Sequence, residues 1–103
     1  MYIMIETTTN DINNAKLISN KILDLNLSPC IQIIKNISSI YTWDNKREYD
    51  DENLIKIKST LKNLDKIEKL IFEFHKYKNP EIISYDFKII SDQYESWFKD
   101  NCK

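Results

Sequence analysis

The chain has 103 residues, of which 42% are hydrophobic and 30% are charged, and its formal net charge is −1. This length supports one domain, 1–103, around a single core, and the composition is that of a globular rather than a disordered protein. Interspersed Lys and acidic residues argue against nucleic acid or a membrane surface as a partner. No apolar run approaches the about 18 residues of a membrane span. The first residues lack the features of an export signal, so we expect a cytoplasmic protein.

The first predicted elements are a strand over Tyr2–Thr8 and a helix. The strand contains the apolar run Tyr-Ile-Met-Ile, followed by Thr residues that favour extended backbone. Thr9 or Asn10 is expected to cap the helix. The apolar stripe of this helix recurs at spacings of three and four residues and consists of Ala15, Ile18, Ile22 and Leu25. Because the chain has no Gly, Asn26 is expected to end the helix in a left-handed conformation.

A long β-hairpin is predicted next, with strands over Cys30–Trp43 and 46–59. The pair Asp44-Asn45 joins the strands, since Asp and Asn tolerate the positive φ angles of a two-residue turn. Each strand could run to about 13 residues, whereas 5 or 6 is usual. At this length the ribbon spans about 40 Å. A compact chain of this size is only about 30–35 Å wide.

The far end of this hairpin carries large apolar and aromatic side chains. They are Ile40, Tyr41, Trp43 and Tyr49. Leaving these side chains in water is unfavourable. We therefore expect other copies of the same chain to cover them.

The rest of the chain predicts a helix, a strand and a short terminal helix. Asn63 is expected to cap the helix, which ends near His75 before Asn79-Pro80. Ile82–Ile90 is mostly apolar and is predicted to form a strand. The apolar stripe of the helix consists of Ile67, Leu70, Ile71 and Phe74.

Asp92 and Glu95 resemble a capping box that opens the terminal helix. The element order βαββαβ, followed by this helix, predicts an α+β ferredoxin-like fold with an extended hairpin between its second and third strands. Both longer helices then cover one face of an antiparallel sheet. Trp97 and Phe98 are expected to help cover the other face.

Several motifs occur in order along the chain. They are Cys30 at the start of the second strand, Ser39-Ile-Tyr41-Thr-Trp43, Glu52 with Lys58 six residues on, His75-Lys-Tyr77-Lys-Asn-Pro80-Glu81, and Tyr94-Glu-Ser-Trp97. Together they resemble the CutA family of divalent-cation tolerance proteins over essentially the whole chain.

The resemblance implies a homotrimer of ferredoxin-like subunits, joined through the long hairpins and the C-terminal segment and similar to the PII signalling proteins. It implies a non-enzymatic protein that responds to or binds copper and other divalent cations, without an obligatory cofactor. The alternative is a PII-like module that binds a small metabolite or a protein partner, with incidental metal binding. The sequence has no Gly-rich phosphate loop, nucleophile elbow or His–carboxylate pair at useful spacing that would indicate an enzyme.

The chain also departs from the family pattern at three points. Lys76 replaces the Pro of a His-Pro-Tyr motif, and Asn45 stands in place of a Gly at the hairpin tip. Some relatives use a Cys near the end of the first strand as a copper ligand. The matching residue here is Thr7, a poor ligand for soft copper, which argues against transferring that site whole.

His75, Cys30 and Glu81 are the candidate metal ligands. His75 is the only His in the chain, and one His without a second ligand at local spacing does not form a zinc or copper site alone. A metal site would therefore need Glu81, Cys30 or a neighbouring chain. Alternatively, His75 complements a helix dipole or makes a local hydrogen bond, and Cys30 is a small buried apolar residue.

Six residues are candidates for the lining of a cleft between subunits: Glu52, Lys58, Tyr41, Trp43, Tyr77 and Trp97. Glu52 and Lys58 share a strand face because six is an even step. They either form an ion pair or polar network near an interface, or they line a cleft that binds an anion or a small metabolite. The four aromatic residues are either interface core or a platform for a ligand.

Overall fold

The computed structural model describes residues 1–103 and contains four β-strands and three α-helices. In chain order these are β1 Tyr2–Thr9, α1 Ile12–Asp24, β2 Cys30–Trp43, β3 Lys46–Thr60, α2 Leu64–Phe74, β4 Ile83–Phe87 and α3 Asp92–Asn101. A 3-10 turn over Leu61–Asn63 joins β3 to α2. All the strands pair antiparallel in one sheet of order β2-β3-β1-β4. The predicted α+β ferredoxin-like fold with a long hairpin and a C-terminal helix is confirmed.

The core lies between one face of the sheet and helices α1 and α2. Ile5 of β1 pairs with Ile57 of β3, and Thr7 pairs with Ile55, so these alternate residues share the face that the helices cover. The buried cluster combines this face with the inner sides of both helices. Its members are Ile3, Ile5, Ala15, Ile18, Ile22, Leu27, Ile55, Ile57, Ile67 and Ile71.

Helix α1 begins later than predicted and has a different cap. The Oδ1 atom of Asp11 accepts hydrogen bonds from the backbone N–H groups of Asn13 and Asn14, so Asp11 is the N-cap and Thr9 remains in β1. The placement of Leu25 in the buried stripe is also wrong. Leu25 is 52% exposed because the helix has ended there and the backbone has left the helical conformation.

Four residues have positive φ angles, and all of them are Asn or Asp: Asn26, Asn36, Asp44 and Asn45. Asn26 ends α1, as predicted. Asp44 and Asn45 form the two-residue turn between β2 and β3, also as predicted. Asn36 was not predicted, and it lies at an irregularity in β2 where the register with β3 shifts between Ile34 and Ile37.

Two other capping predictions are corrected by the structure. Asn63 precedes α2, but its side-chain amide donates to the backbone carbonyl of Leu27 instead of capping the helix. Ser91 caps α3, because its hydroxyl accepts from the N–H of Tyr94. Glu95 accepts a hydrogen bond from the Tyr2 hydroxyl at 2.6 Å and does not close a capping box.

Strand β4 is shorter than the predicted Ile82–Ile90. Its partners on β1 run only from Glu6 to Tyr2, so residues after Phe87 have no strand to pair with. Helix α3 then folds over the face of the sheet opposite α1 and α2. The ring of Phe98 is fully buried there, with centroids 5.2 Å from Tyr2 and 6.3 Å from Phe87.

The β2–β3 hairpin extends beyond the rest of the molecule. β1 pairs with β3 only from Thr60 to Asn53, so residues 37–52 form a two-stranded arm without other strands beside it. The molecule measures 46 × 26 × 21 Å along its principal axes. Side chains on the arm are largely exposed, at 60% for Ile40, 57% for Trp43 and 70% for Tyr49.

We expect the substitution Ile18→Ala to lower the free energy of unfolding by about 2–5 kcal/mol, since it opens a cavity at a fully buried position. Leu17→Ala is the matched control, because Leu17 precedes Ile18 on α1 but lies on the exposed side. The control should change the free energy of unfolding by less than about 1 kcal/mol. Urea unfolding at fixed protein concentration measures both. Equal effects would contradict the placement of the core.

Candidate functional site

A cleft of about 780 Å³ lies where the arm leaves the body of the molecule. We call it the arm cleft. One wall comes from the β2–β3 arm and the other from the segment that follows α2. Residues that line it include Ser39, Ile40, Tyr41, Trp43, Asp50, Glu52, Tyr77, Lys78, Asn79 and Glu81. Four of the six predicted cleft residues therefore meet here within a single subunit.

The irregularity at Asn36 decides which residues of β2 share a face of the arm with the acidic residues of β3. Between Ile34 and Ile37 β2 contains two residues, whereas β3 contains only Asn53 between their partners. Such a bulge shifts the alternation of side chains by one position. As a result, Tyr41 lies on the same face of the arm as Asp50 and Glu52, two β3 residues whose partners on β2 are also odd-numbered. Without the bulge, even-numbered residues of β2 would take that face instead of Tyr41.

Glu52 is the most buried acidic residue of the cleft, with 7% of its surface exposed. Its Oε2 atom accepts a hydrogen bond of 2.8 Å from the Tyr77 hydroxyl. The same hydroxyl accepts a bond of 2.8 Å from the backbone N–H of Asn10, just after β1. Tyr77 therefore joins the segment after α2 to both central strands. Burial, followed by the bond to Glu52, raises the pKa of Tyr77, so its hydroxyl stays protonated at neutral pH.

A second phenol–carboxylate pair lies further along the arm. The Tyr41 hydroxyl donates a hydrogen bond to Asp50 across the hairpin. This bond raises the pKa of Tyr41 to about 12. Both phenols are therefore neutral donors, and the negative charge of the cleft remains on its carboxylates.

His75 lies behind the cleft and is 8% exposed. Its Nε2 atom is 2.8 Å from the Thr8 carbonyl oxygen, and its Nδ1 atom accepts a hydrogen bond of 2.9 Å from the N–H of Tyr77. Because a carbonyl only accepts, Nε2 carries the proton and the ring is a neutral tautomer. Burial lowers the pKa of His75, against smaller opposing effects of the Thr8 carbonyl and the Glu52 charge. His75 thus fixes the backbone of the cleft wall.

The three candidate metal ligands do not converge within the subunit. No group of three or more His, Cys, Asp or Glu side chains is placed to hold a metal ion. His75 uses both ring nitrogens in hydrogen bonds, and Glu81 is exposed at the cleft. Cys30 begins β2 next to Lys58, with 3.9 Å between its Sγ and the Lys58 Nζ.

Lys58 and Trp97 lie away from the arm cleft. Lys58 contacts Tyr94 of α3, with its Nζ 3.3 Å from the hydroxyl, and it makes no ion pair with Glu52. Glu52 and Lys58 are on the same strand, but an ion pair between them is not possible, because six residues span about 20 Å of strand. Trp97 packs beside Tyr94, with ring centroids 5.4 Å apart, and remains half exposed.

Another polar cluster was missed by the sequence prediction. Glu6 of β1 accepts hydrogen bonds from Lys56 of β3, at 2.6 Å, and from the hydroxyl of Tyr85 of β4. Burial opposes ionisation of Glu6, but these two hydrogen bonds outweigh it and lower the pKa of the carboxyl. The three side chains come from the neighbouring strands β3, β1 and β4, so only the sheet order could have revealed this cluster.

A family profile described as "CutA1 divalent ion tolerance protein" matches residues 3–101. This chain belongs to the CutA family. The match runs from β1 to the last residue of α3 and includes all the arm-cleft residues named above. The resemblance expected from the sequence is therefore confirmed.

Curated CutA relatives match over most of this chain. "Protein CutA, chloroplastic" from Arabidopsis thaliana is 29% identical over 101 residues, which cover 98% of this chain and 56% of that protein. "Divalent-cation tolerance protein CutA" from Thermus thermophilus is 26% identical over 87 residues, or 84% of each. The chain thus spans little more than half the length of the plant relative.

Solved CutA structures share the whole fold. CutA1 from the psychrotrophic bacterium Shewanella sp. SIB1 is 32% identical, with a TM-score of 0.91 over 98% of this chain and 94% of that one. The Thermus thermophilus protein has a TM-score of 0.93 over all of both chains at 24% identity. The long hairpin and the terminal helix therefore belong to the common CutA fold.

We expect the free energy of unfolding to decrease as the pH falls, because His75 is protonated more readily in the unfolded chain than in the folded protein. Below about pH 6.5 the unfolded chain gains a proton at this residue, whereas the buried imidazole does not until the pH passes its lowered pKa, so the free energy of unfolding decreases. His75→Gln cannot titrate and should lose less stability than the original protein between about pH 7.5 and about pH 5.

Urea unfolding at several pH values and constant ionic strength measures this difference. Lys76→Gln is the control, because Lys76 is the exposed neighbour and should leave the pH dependence unchanged. The same pH dependence in His75→Gln and the original protein would contradict a neutral, buried His75.

Proposed function

We propose that this CutA chain is a homotrimeric, non-enzymatic divalent-cation tolerance protein that binds copper or other divalent cations as its cargo. The observation that carries this proposal is the family match over residues 3–101. The Thermus thermophilus relative is itself named a divalent-cation tolerance protein. No cofactor is part of the proposal.

The exposed arm supports the oligomeric part of the proposal. Ile40 and Tyr49, which pair across the hairpin, together leave a large apolar area in water on a ribbon that the body does not cover. Burial of a side chain of this size stabilises an assembly by about 1.5–3 kcal/mol. Packing the arms of several subunits against each other would bury all of these side chains. The number three comes from the CutA resemblance.

The three candidate metal ligands do not converge within one subunit, which supports a metal site that needs residues from more than one subunit. Glu81 is exposed and makes no ion pair, so its carboxylate is available to a cation. His75 would have to break its bond with Tyr77 before Nδ1 could bind a metal. Cys30 has the Lys58 ammonium group beside its sulfur, which disfavours a second cation. Glu81 is therefore the first of the three to test.

The second candidate function is a PII-like module that binds a small molecule or a partner. The arm cleft favours this reading, because about 780 Å³ falls within the range of about 300–1,000 Å³ typical of ligand pockets. In this reading metal binding is incidental.

The cytoplasmic location stays a prediction. No helix of the chain combines the length and the apolar character required to cross a bilayer. Relatives carry different locations in their names, since the Arabidopsis protein is called chloroplastic and the Archaeoglobus fulgidus structure periplasmic.

We expect light scattering after size exclusion to give three times the chain mass of 12.4 kDa. Ile40→Glu should shift the protein towards smaller species, because it places a charge on the apolar part of the arm. Leu17→Glu, on the exposed side of α1, should leave the mass unchanged. A folded monomer of the original sequence at micromolar concentration would contradict the proposed assembly.

We expect calorimetric titration of the metal-free protein with Cu²⁺, and separately with Zn²⁺, to show saturable binding. Glu81→Gln should weaken it, whereas Glu68→Gln, an exposed change of the same kind on α2, should not. Cys30→Ser and His75→Ala test the remaining candidates. Negligible binding of both metals would instead favour the PII-like module.

A further inference from the structure

We propose that the arm cleft binds an aliphatic ammonium ion, with the charged nitrogen at the Glu52 and Asp50 carboxylates and the hydrocarbon chain against Tyr41 and Trp43. This inference goes beyond the divalent-cation proposal and uses different residues from the metal candidate Glu81. It depends on the charge balance, the buried carboxylate and the aromatic walls of one cavity.

The charge balance of the cleft favours a cation. Asp50, Glu52 and Glu81 line it, and Lys78 is the one basic residue among its lining residues. None of these four groups takes part in an ion pair. The Tyr41 and Tyr77 hydroxyls donate to carboxylates, and they remain neutral. A nucleotide or another anion would meet uncompensated negative charge in this cavity.

The burial of Glu52 also favours a cationic ligand. A carboxylate that is 7% exposed normally has a charged partner or several hydrogen bonds, because burying an isolated charge is unfavourable. Glu52 accepts one hydrogen bond, from Tyr77 to Oε2, and forms no ion pair with a basic side chain. An ammonium group carries three donors and a positive charge, so it supplies the charged partner that Glu52 lacks.

The aromatic walls distinguish an organic cation from a bare metal ion. A divalent metal requires several ligating groups around one point, and the subunit offers no such group of three. The Trp43 ring has no oxygen atom of the kind that a hard cation prefers, and the Tyr41 hydroxyl is already bonded to Asp50. Their ring faces attract ammonium groups and cover methylene chains. The volume of about 780 Å³ leaves room for such a chain.

The test is a titration of the intact protein with 1,4-diaminobutane, in which the fluorescence of Trp43 reports binding. Trp97→Phe provides the background, because it removes the other Trp of the chain. EDTA is present throughout, so that binding of divalent metals plays no part. We expect a saturable change in emission that weakens as salt is added.

Two comparisons locate the binding. Glu52→Gln should weaken the apparent affinity about tenfold or more, since it removes a charge-assisted contact. Glu68→Gln removes the same charge from an exposed site on α2 and should leave the affinity unchanged. 1,4-Butanediol, which has the same chain without charge, should not bind. If Glu52→Gln alters the oligomeric state, Asp50→Asn replaces it in the same experiment.

Several results would overturn the inference. One is the absence of saturable binding at millimolar diamine, as expected if a basic side chain of another copy fills the cleft. Others are equal affinity in Glu52→Gln and the background protein, or tighter binding of glutarate than of the diamine. Because metals are excluded here, failure of this test leaves the divalent-cation proposal to its own titration.

Discussion

A mismatch in strand length determines most of this structure. Strand β3 has 15 residues, whereas its neighbour β1 has eight, so the sheet has four strands at one end and two at the other. The two-stranded end receives no helix, because α1 and α2 pack over the wider part. Exposed arm side chains, the 46 Å long axis and the cavity at the junction all follow from this difference.

Two local features define the site at the junction between the arm and the body. The bulge at Asn36 aligns the aromatic residues of β2 with the acidic residues of β3. Tyr77 then joins the far wall to the sheet through Glu52 and Asn10, while His75 holds the backbone of that wall from behind. The site is therefore preorganised by hydrogen bonds, and those of the Tyr77 hydroxyl join residues that are distant in sequence.

The element order and the hairpin were predictable, because periodicity and turn chemistry act over a few residues. Asp44-Asn45 formed the expected turn, and Ile18 took its expected place in the core. The different surroundings of Lys58 and Glu52 were not predicted, since an even spacing along a strand indicates that two side chains share a face but not which residues they contact. The bond of His75 to Thr8 was equally hidden, because it reaches across the whole middle of the chain. The bond from the N–H of Tyr77 to His75 is the kind of local hydrogen bond that the sequence analysis offered as an alternative. Such contacts require the sheet order to be known first.

The lack of Gly has a consequence for the denatured chain. Every left-handed position is held by Asn or Asp, which reach that conformation less readily than Gly does. In return, no residue gives the unfolded backbone the extra freedom of Gly, so less entropy is lost on folding. Part of the stability of this protein should therefore originate in a stiffer disordered state, where no contact of the native structure can reveal it.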